Sequence, residues 1–208
     1  FAPPYYNRLL QTHKFDFLPE YVQTSSDVPN LREYLGLPDD RAIFLMIGSI
    51  YRGKGVLETL AAFRLLLADN PSLQQKVSIV IAGRVADDLR SRLHEQLRGF
   101  SDDYPALHVR VEDRTLGDDE FSHYIKAAYV VCTPYVNFLG TSSILVHAAA
   151  YGRQVLSSDF GYLGEAVYQY DLGVTCNEAD SLELKQGLLT SLNQSCCPNH
   201  QGWTNGRY

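Results

Sequence analysis

The sequence predicts an α/β domain with a Rossmann-like, doubly wound, mainly parallel sheet of six strands. Three observations carry that prediction. From residue 42 onward, short β-branched or apolar runs alternate with longer amphipathic stretches. The runs are almost continuously apolar, as parallel strands covered on both faces must be. The amphipathic stretches are each preceded or opened by Asp, Ser or Gly, where the free amides of a helix start need partners.

Taken in order, residues 1–40 are irregular and rich in Pro, Tyr and Asp, with one short helix expected around 29–35. They are read as a lead-in segment packed on the domain edge. Strands are expected at 42–47, 77–82, 108–111, 129–133, 154–157 and 173–176. Between the first two, Val56, Leu60, Phe63 and Leu67 recur at spacings of four, three and four, so one helical stripe faces the sheet while Glu58, Arg64 and Asp69 face water. Pro71 stops that helix. Further helices are expected at 86–100, 117–127, 142–151, 163–170 and 181–193, with Asp118-Asp119-Glu120 and Asp180-Ser181 in capping positions. Short right-handed crossovers between such units give the doubly wound order. The domain is bounded at 41–194, and 195–208 form a C-terminal tail.

With 208 residues, 45% of them hydrophobic, the chain can bury one substantial core. Its net charge of -6 argues against a nucleic-acid partner, because a phosphate-backbone interface needs clustered Lys and Arg. Any anion site must be small and local. No apolar run approaches the roughly 20 residues that cross a bilayer. The chain opens at Phe1 without an initiator Met or a signal-peptide pattern, and is read as a piece of a longer protein. Cys132 and Cys176 fall inside expected strands and Cys196 and Cys197 in the tail, without framework spacing, which reads as reduced thiols in a cytoplasmic protein. Cys196, Cys197 and His200 lack a C-x-x-C pair, so no metal is assigned to them.

Three strand-to-helix junctions carry the chemistry. The first, Gly48-Ser49-Ile50-Tyr51-Arg52-Gly53-Lys54-Gly55, lets the backbone approach a ligand and stands Lys54 at a helix start, where ammonium and free amides can meet a phosphate. It is neither a Walker loop nor a G-x-G-x-x-G fingerprint, and a solvated polar turn is the alternative. The second, Gly140-Thr141-Ser142-Ser143, offers more glycine and hydroxyl positions than a single cap requires; ordinary capping by Thr141 or Ser142 is the alternative. His147, one turn further in an otherwise apolar helix, is either a satisfied structural histidine or a ligand contact. The third, 157–165, places Asp159 and Glu165 where they could accept from sugar hydroxyls, or simply complement a helix dipole.

In this order, the segments Gly48 with Lys54-Gly55, Ile81-Ala82-Gly83, 124–134, 148–155 and 159–165 resemble the C-terminal, donor-binding domain of family 4 glycosyltransferases with the GT-B fold, over about residues 41–193. The resemblance implies a retaining glycosyltransferase of hexosyltransferase type that takes a sugar from a nucleotide diphosphate to a saccharide or glycoconjugate acceptor in polysaccharide synthesis, with no cofactor and no metal. It implies Lys54 and His147 as catalytic residues. As donor-binding residues it implies Gly48, Ser49, Arg52, Gly55, Gly83, Val111, Gly140, Thr141, Ser142, Ser143 and Glu165. Gly83 would clear space beside the nucleotide and the loop 111–114 would approach its base. Two departures stand out: Ser49 replaces an arginine, and Leu139 and His147 replace two glutamates eight positions apart. The acceptor would bind an N-terminal domain missing from this chain, so the fragment is expected to be inactive alone and any membrane contact to be made by that domain. The rival expectation is a degenerate GT-B domain that binds a nucleotide or a partner; an epimerase of nucleotide sugars comes third.

Overall fold

The computed structural model describes Arg8, residues 31–38 and residues 40–194. The rest of the lead-in and the tail, with Cys196, Cys197 and His200, lie outside the described residues. Six strands, β1 (Ala42–Ile47), β2 (Val77–Ala82), β3 (His108–Glu112), β4 (Val130–Thr133), β5 (Gln154–Ser158) and β6 (Gly173–Cys176), form one sheet in the order β3-β2-β1-β4-β5-β6. Every neighbouring pair is parallel. The strand order reverses between β1 and β4, the point at which open α/β sheets hold their ligands.

The α-helices with described bounds that accompany the sheet are α1 (Leu31–Tyr34), α2 (Val56–Asp69), α3 (Asp87–Asp103), α4 (Asp118–Ala127), α5 (Ser143–Ala150), α6 (Gly161–Gln169) and α7 (Ser181–Asn193). Alternation along β1 assigns them to two layers. Ile43, Leu45 and Ile47 point to a cluster with α1, α4, α5 and α6, whereas Phe44 and Met46 point to a cluster with α2, α3 and α7. The α2 stripe is buried as expected, and Phe63 meets Phe44 edge-on at 5.1 Å. Each such fully buried aliphatic or aromatic side chain contributes roughly 1.5 to 3 kcal/mol.

Boundaries differ where side-chain packing extends an element. Helix α3 runs three residues past its expected end, through exposed Ser101, Asp102 and Asp103, until the Tyr104 amide donates to the Phe100 carbonyl at 2.8 Å. Helix α6 begins two residues early, at Gly161, whose φ of +68° turns the chain out of β5. Among the described residues no helix is long and apolar enough to cross a membrane.

Candidate functional site

The first junction leaves β1 through Gly48, makes one 3-10 turn over Arg52–Lys54 and enters α2 at Gly55. Gly55 is left-handed (φ +66°), and a Cβ there would overlap the Pro134 carbonyl oxygen. Only glycine lets this turn lie against the chain leaving β4. The contact is fixed further by the Val136 amide, which donates to the Gly53 carbonyl at 3.0 Å. Topology thus joins the first and second junctions, 80 or more residues apart in sequence, at the switch point.

That contact delivers Lys54 onto Tyr135. Its Nζ lies 3.7 Å from the Tyr135 ring centroid and 5.7 Å from that of Tyr51. Burial lowers the Lys54 pKa from its ordinary 10.5 to about 8. No carboxylate among the described residues pairs with this ammonium. A half-buried cation without a counterion is poised to take up an anion. Tyr135 is itself buried, meets Phe138 edge-on at 5.3 Å, and sets its hydroxyl 3.4 Å from Ser142 Oγ, with either oxygen able to donate.

Ser142 is the N-cap of α5, yet its side chain makes no cap hydrogen bond and turns to Tyr135 instead. The first turn of α5 carries no acid. The positive end of this helix dipole is therefore left without a side-chain counterpart of its own. Thr141 and Ser143 are exposed beside it, and Gly140 packs over the Phe138 ring. His147 directs Nδ1 to the Ser143 carbonyl at 2.8 Å and faces the edge of Phe121 at 5.2 Å. Because a carbonyl only accepts, the proton sits on Nδ1 and Nε2 is left as an acceptor.

The third junction closes on the second: a Cβ at Gly161 would stand 2.7 Å from the Phe138 carbonyl oxygen and 3.3 Å from Leu139 Cα. Leu139 and Phe160 are 46% and 40% exposed at this seam. Glu165 lies on α6, where Oε1 accepts from Arg8 and Oε2 is buried without a partner.

The remaining residues are more dispersed. Ser49 and Arg52 are exposed on the first junction. Gly83 has φ +138° and sits against Gly48: a Cβ would overlap the Gly48 carbonyl oxygen, so the space it clears is taken up by the neighbouring loop. Val111 lies in β3, two strands from β1. The loop that follows β3 is held by its own ion pairs. Asp113 accepts from the Val85 amide and Arg90 Nε at 2.8 Å each. Arg114 forks onto Glu120, and that pairing draws the Glu120 pKa down to about 2.

Two residues of this region were not singled out by sequence. One is Tyr135; its only signal is an aromatic directly after the proline that ends β4. The other is Glu178, 6% exposed in the loop after β6, whose Oε1 accepts from the amide of Asn137 at 3.2 Å. Asn137 has φ +51°, and a buried carboxylate that holds this amide fixes the start of the second junction.

The family described as "Glycosyl transferases group 1" matches residues 41–194. No curated protein sequence matches. Among solved structures, the Candida albicans trehalose-6-phosphate phosphatase N-terminal domain superposes with a TM-score of 0.70 at 13% identity, over 83% of this chain and 38% of that one. An alpha,alpha-trehalose-phosphate synthase (UDP-forming) from Burkholderia vietnamiensis gives 0.67 at 16%, over 82% and 40%. An E. coli structure named for trehalose-6-phosphate with bound UDP-2-fluoro glucose gives 0.69 at 15%, over 83% and 41%. The chain spans about two fifths of the length of these structures. The likeness at this identity is one of fold.

Proposed function

Because the chain belongs to the group 1 glycosyl transferases, we propose that residues 41–194 are the C-terminal, donor-binding half of a GT-B enzyme. It takes a nucleotide diphosphosugar and transfers the hexosyl group, with retained configuration, to a saccharide or glycoconjugate acceptor in polysaccharide synthesis. The observation that supports this reading is the meeting of Lys54 and the α5 tip around Tyr135 at the β1/β4 switch point.

As the bond between the anomeric carbon and the diphosphate oxygen breaks, negative charge grows on the leaving diphosphate. The Lys54 ammonium and the amides of residues 140–143 stabilise that charge, and their effect is larger in a site from which water is excluded. Lys54 supplies the countercharge, so no metal enters the proposal. His147 Nε2 accepts a hydrogen bond from a ribose or sugar hydroxyl. Gly48, Ser49, Arg52 and Gly55 shape the donor side and Glu165 flanks it, whereas Gly83 acts only by letting its loop pack on Gly48 and Val111 stands two strands away. The acceptor binds a domain outside this chain, so the fragment alone binds donor and turns over poorly. The E. coli structure, of the same fold, carries a UDP-sugar analogue, which supports the donor class. The free, buried thiols of Cys132 and Cys176 fit a cytoplasmic protein.

A thermal-shift panel of UDP-, GDP- and ADP-sugars tests this reading. A donor at about 100 times its Kd should add about 2.7 kcal/mol of stability. Lys54→Ala should weaken nucleoside diphosphates far more than the bare nucleoside, because the lysine addresses charge and not the base. A second reading, a catalytically degenerate module that binds a partner, is favoured by exposed Leu139 and by the Arg8 pairing of Glu165. No shift with any donor, or equal losses for nucleoside and diphosphate in Lys54→Ala, would select it.

A further inference from the structure

Tyr135 touches both halves of the candidate diphosphate site. Its ring face carries the Lys54 ammonium at 3.7 Å, and its hydroxyl stands 3.4 Å from Ser142 Oγ at the α5 tip. The ring is buried and braced edge-on by Phe138, so it does not follow the lysine when the lysine moves. Lys54, by contrast, has a flexible four-carbon stem and no ion pair to hold it among the described residues. A cation over an aromatic face is held less strongly than one at hydrogen-bonding distance from a diphosphate in the same half-buried setting.

We propose that Tyr135 is a positioning residue for Lys54: its ring holds the ammonium retracted beside the α5 tip and yields it to an incoming diphosphate. This rests on the donor-site reading above. The titratable groups facing Lys54 are Tyr51 and Tyr135, with Arg52 on the same turn and Glu58 in the first turn of α2. The segment 134–143 contributes no charge. Desolvation is accordingly the only cause of the lowered lysine pKa. A retracted lysine that titrates near neutrality binds a diphosphate with uptake of protons, and its affinity falls as pH rises through about 8.

Lysine side-chain NMR titration of the ligand-free protein, with Lys54→Arg to assign the signal, tests the proposal. Lys54 should titrate near 8 in the wild type and in Tyr135→Phe, which keeps the ring. In Tyr135→Ala it should return toward the ordinary lysine value near 10.4. Should that variant not fold, wild-type protein suffices: nuclear Overhauser contacts between the Lys54 ε-methylene and the Tyr135 ring should be present without ligand and lost on saturation with UDP, GDP or ADP. Titration near 8 in Tyr135→Ala, or absence of those contacts, overturns the role of Tyr135. The expected ligand-free titrations with no response of Lys54 to any of the three diphosphates would support the retraction and overturn the donor-site reading.

Discussion

Lys54 sets stability against function. The fall of its pKa from 10.5 to about 8 corresponds to an unfavourable burial of charge on the order of 3 kcal/mol. That figure is already net of any attraction to the Tyr135 ring, so Lys54→Met is expected to stabilise the ligand-free protein by about 1 to 3 kcal/mol at pH 7 while abolishing its preference for diphosphates. Between pH 8 and 10.5 the unfolded chain holds the Lys54 proton more tightly than the folded one. Lys54 therefore contributes a rise of stability with pH across that window, and this contribution should be missing in Lys54→Met. The thiols of Cys132 and Cys176, raised by burial, act in the opposite sense from about pH 9, and Tyr124, pushed up to about 12 by burial, does so from about pH 10, so the difference between the two proteins carries the Lys54 effect. Urea unfolding of both proteins at pH 7, 8.5 and 9.5 checks the sign.

Two helix starts illustrate how differently a serine or aspartate in capping position can be used. At α7, Asp180 accepts from the Leu182 and Glu183 amides at 2.8 and 3.2 Å, an ordinary cap. Asp180→Ala should cost about 1 kcal/mol. At α5, Ser142 gives its hydroxyl to Tyr135, so Ser142→Ala removes no cap. It does leave the buried Tyr135 hydroxyl without its partner, which should cost about 1 kcal/mol. Equilibrium unfolding in wild-type and Tyr135→Phe backgrounds distinguishes the cases: the Ser142→Ala loss should vanish in Tyr135→Phe, and a loss that persists there would show that Ser142 does cap its helix. The same contrast marks what the element pattern left open: Gly140-Thr141-Ser142-Ser143 allowed either a cap or a ligand cradle, and the choice depends on Tyr135, a residue on another element.

At the scale of the molecule, the sheet is layered in stability as well as in space. Strands β2, β4 and β5 are buried along their whole length and β1 along nearly all of it, whereas β3 and most of β6 are half-buried at the edges. Native-state hydrogen exchange should therefore be slowest in β1, β2, β4 and β5 and faster by an order of magnitude or more in β3 and β6; uniform protection would contradict this layering. The strands were legible because continuous apolar runs have few other uses in a chain without a membrane-spanning helix among its described residues: 42–47, 77–82 and 173–176 match their observed bounds. Lys54 and residues 140–143 were legible as candidates because glycines and hydroxyls at strand exits are a local signal. Tyr135 and Glu178 were not, since an aromatic after a strand reads as core and an acid in a loop reads as solvated. Sequence alone thus determined the α/β class, the strands and helices and the list of polar strand exits, all of which follow from local periodicity and composition. Only tertiary structure decided which exits meet, because the β3-β2-β1-β4-β5-β6 order brings residues 48–55 against 134–142 and lets one buried tyrosine touch both.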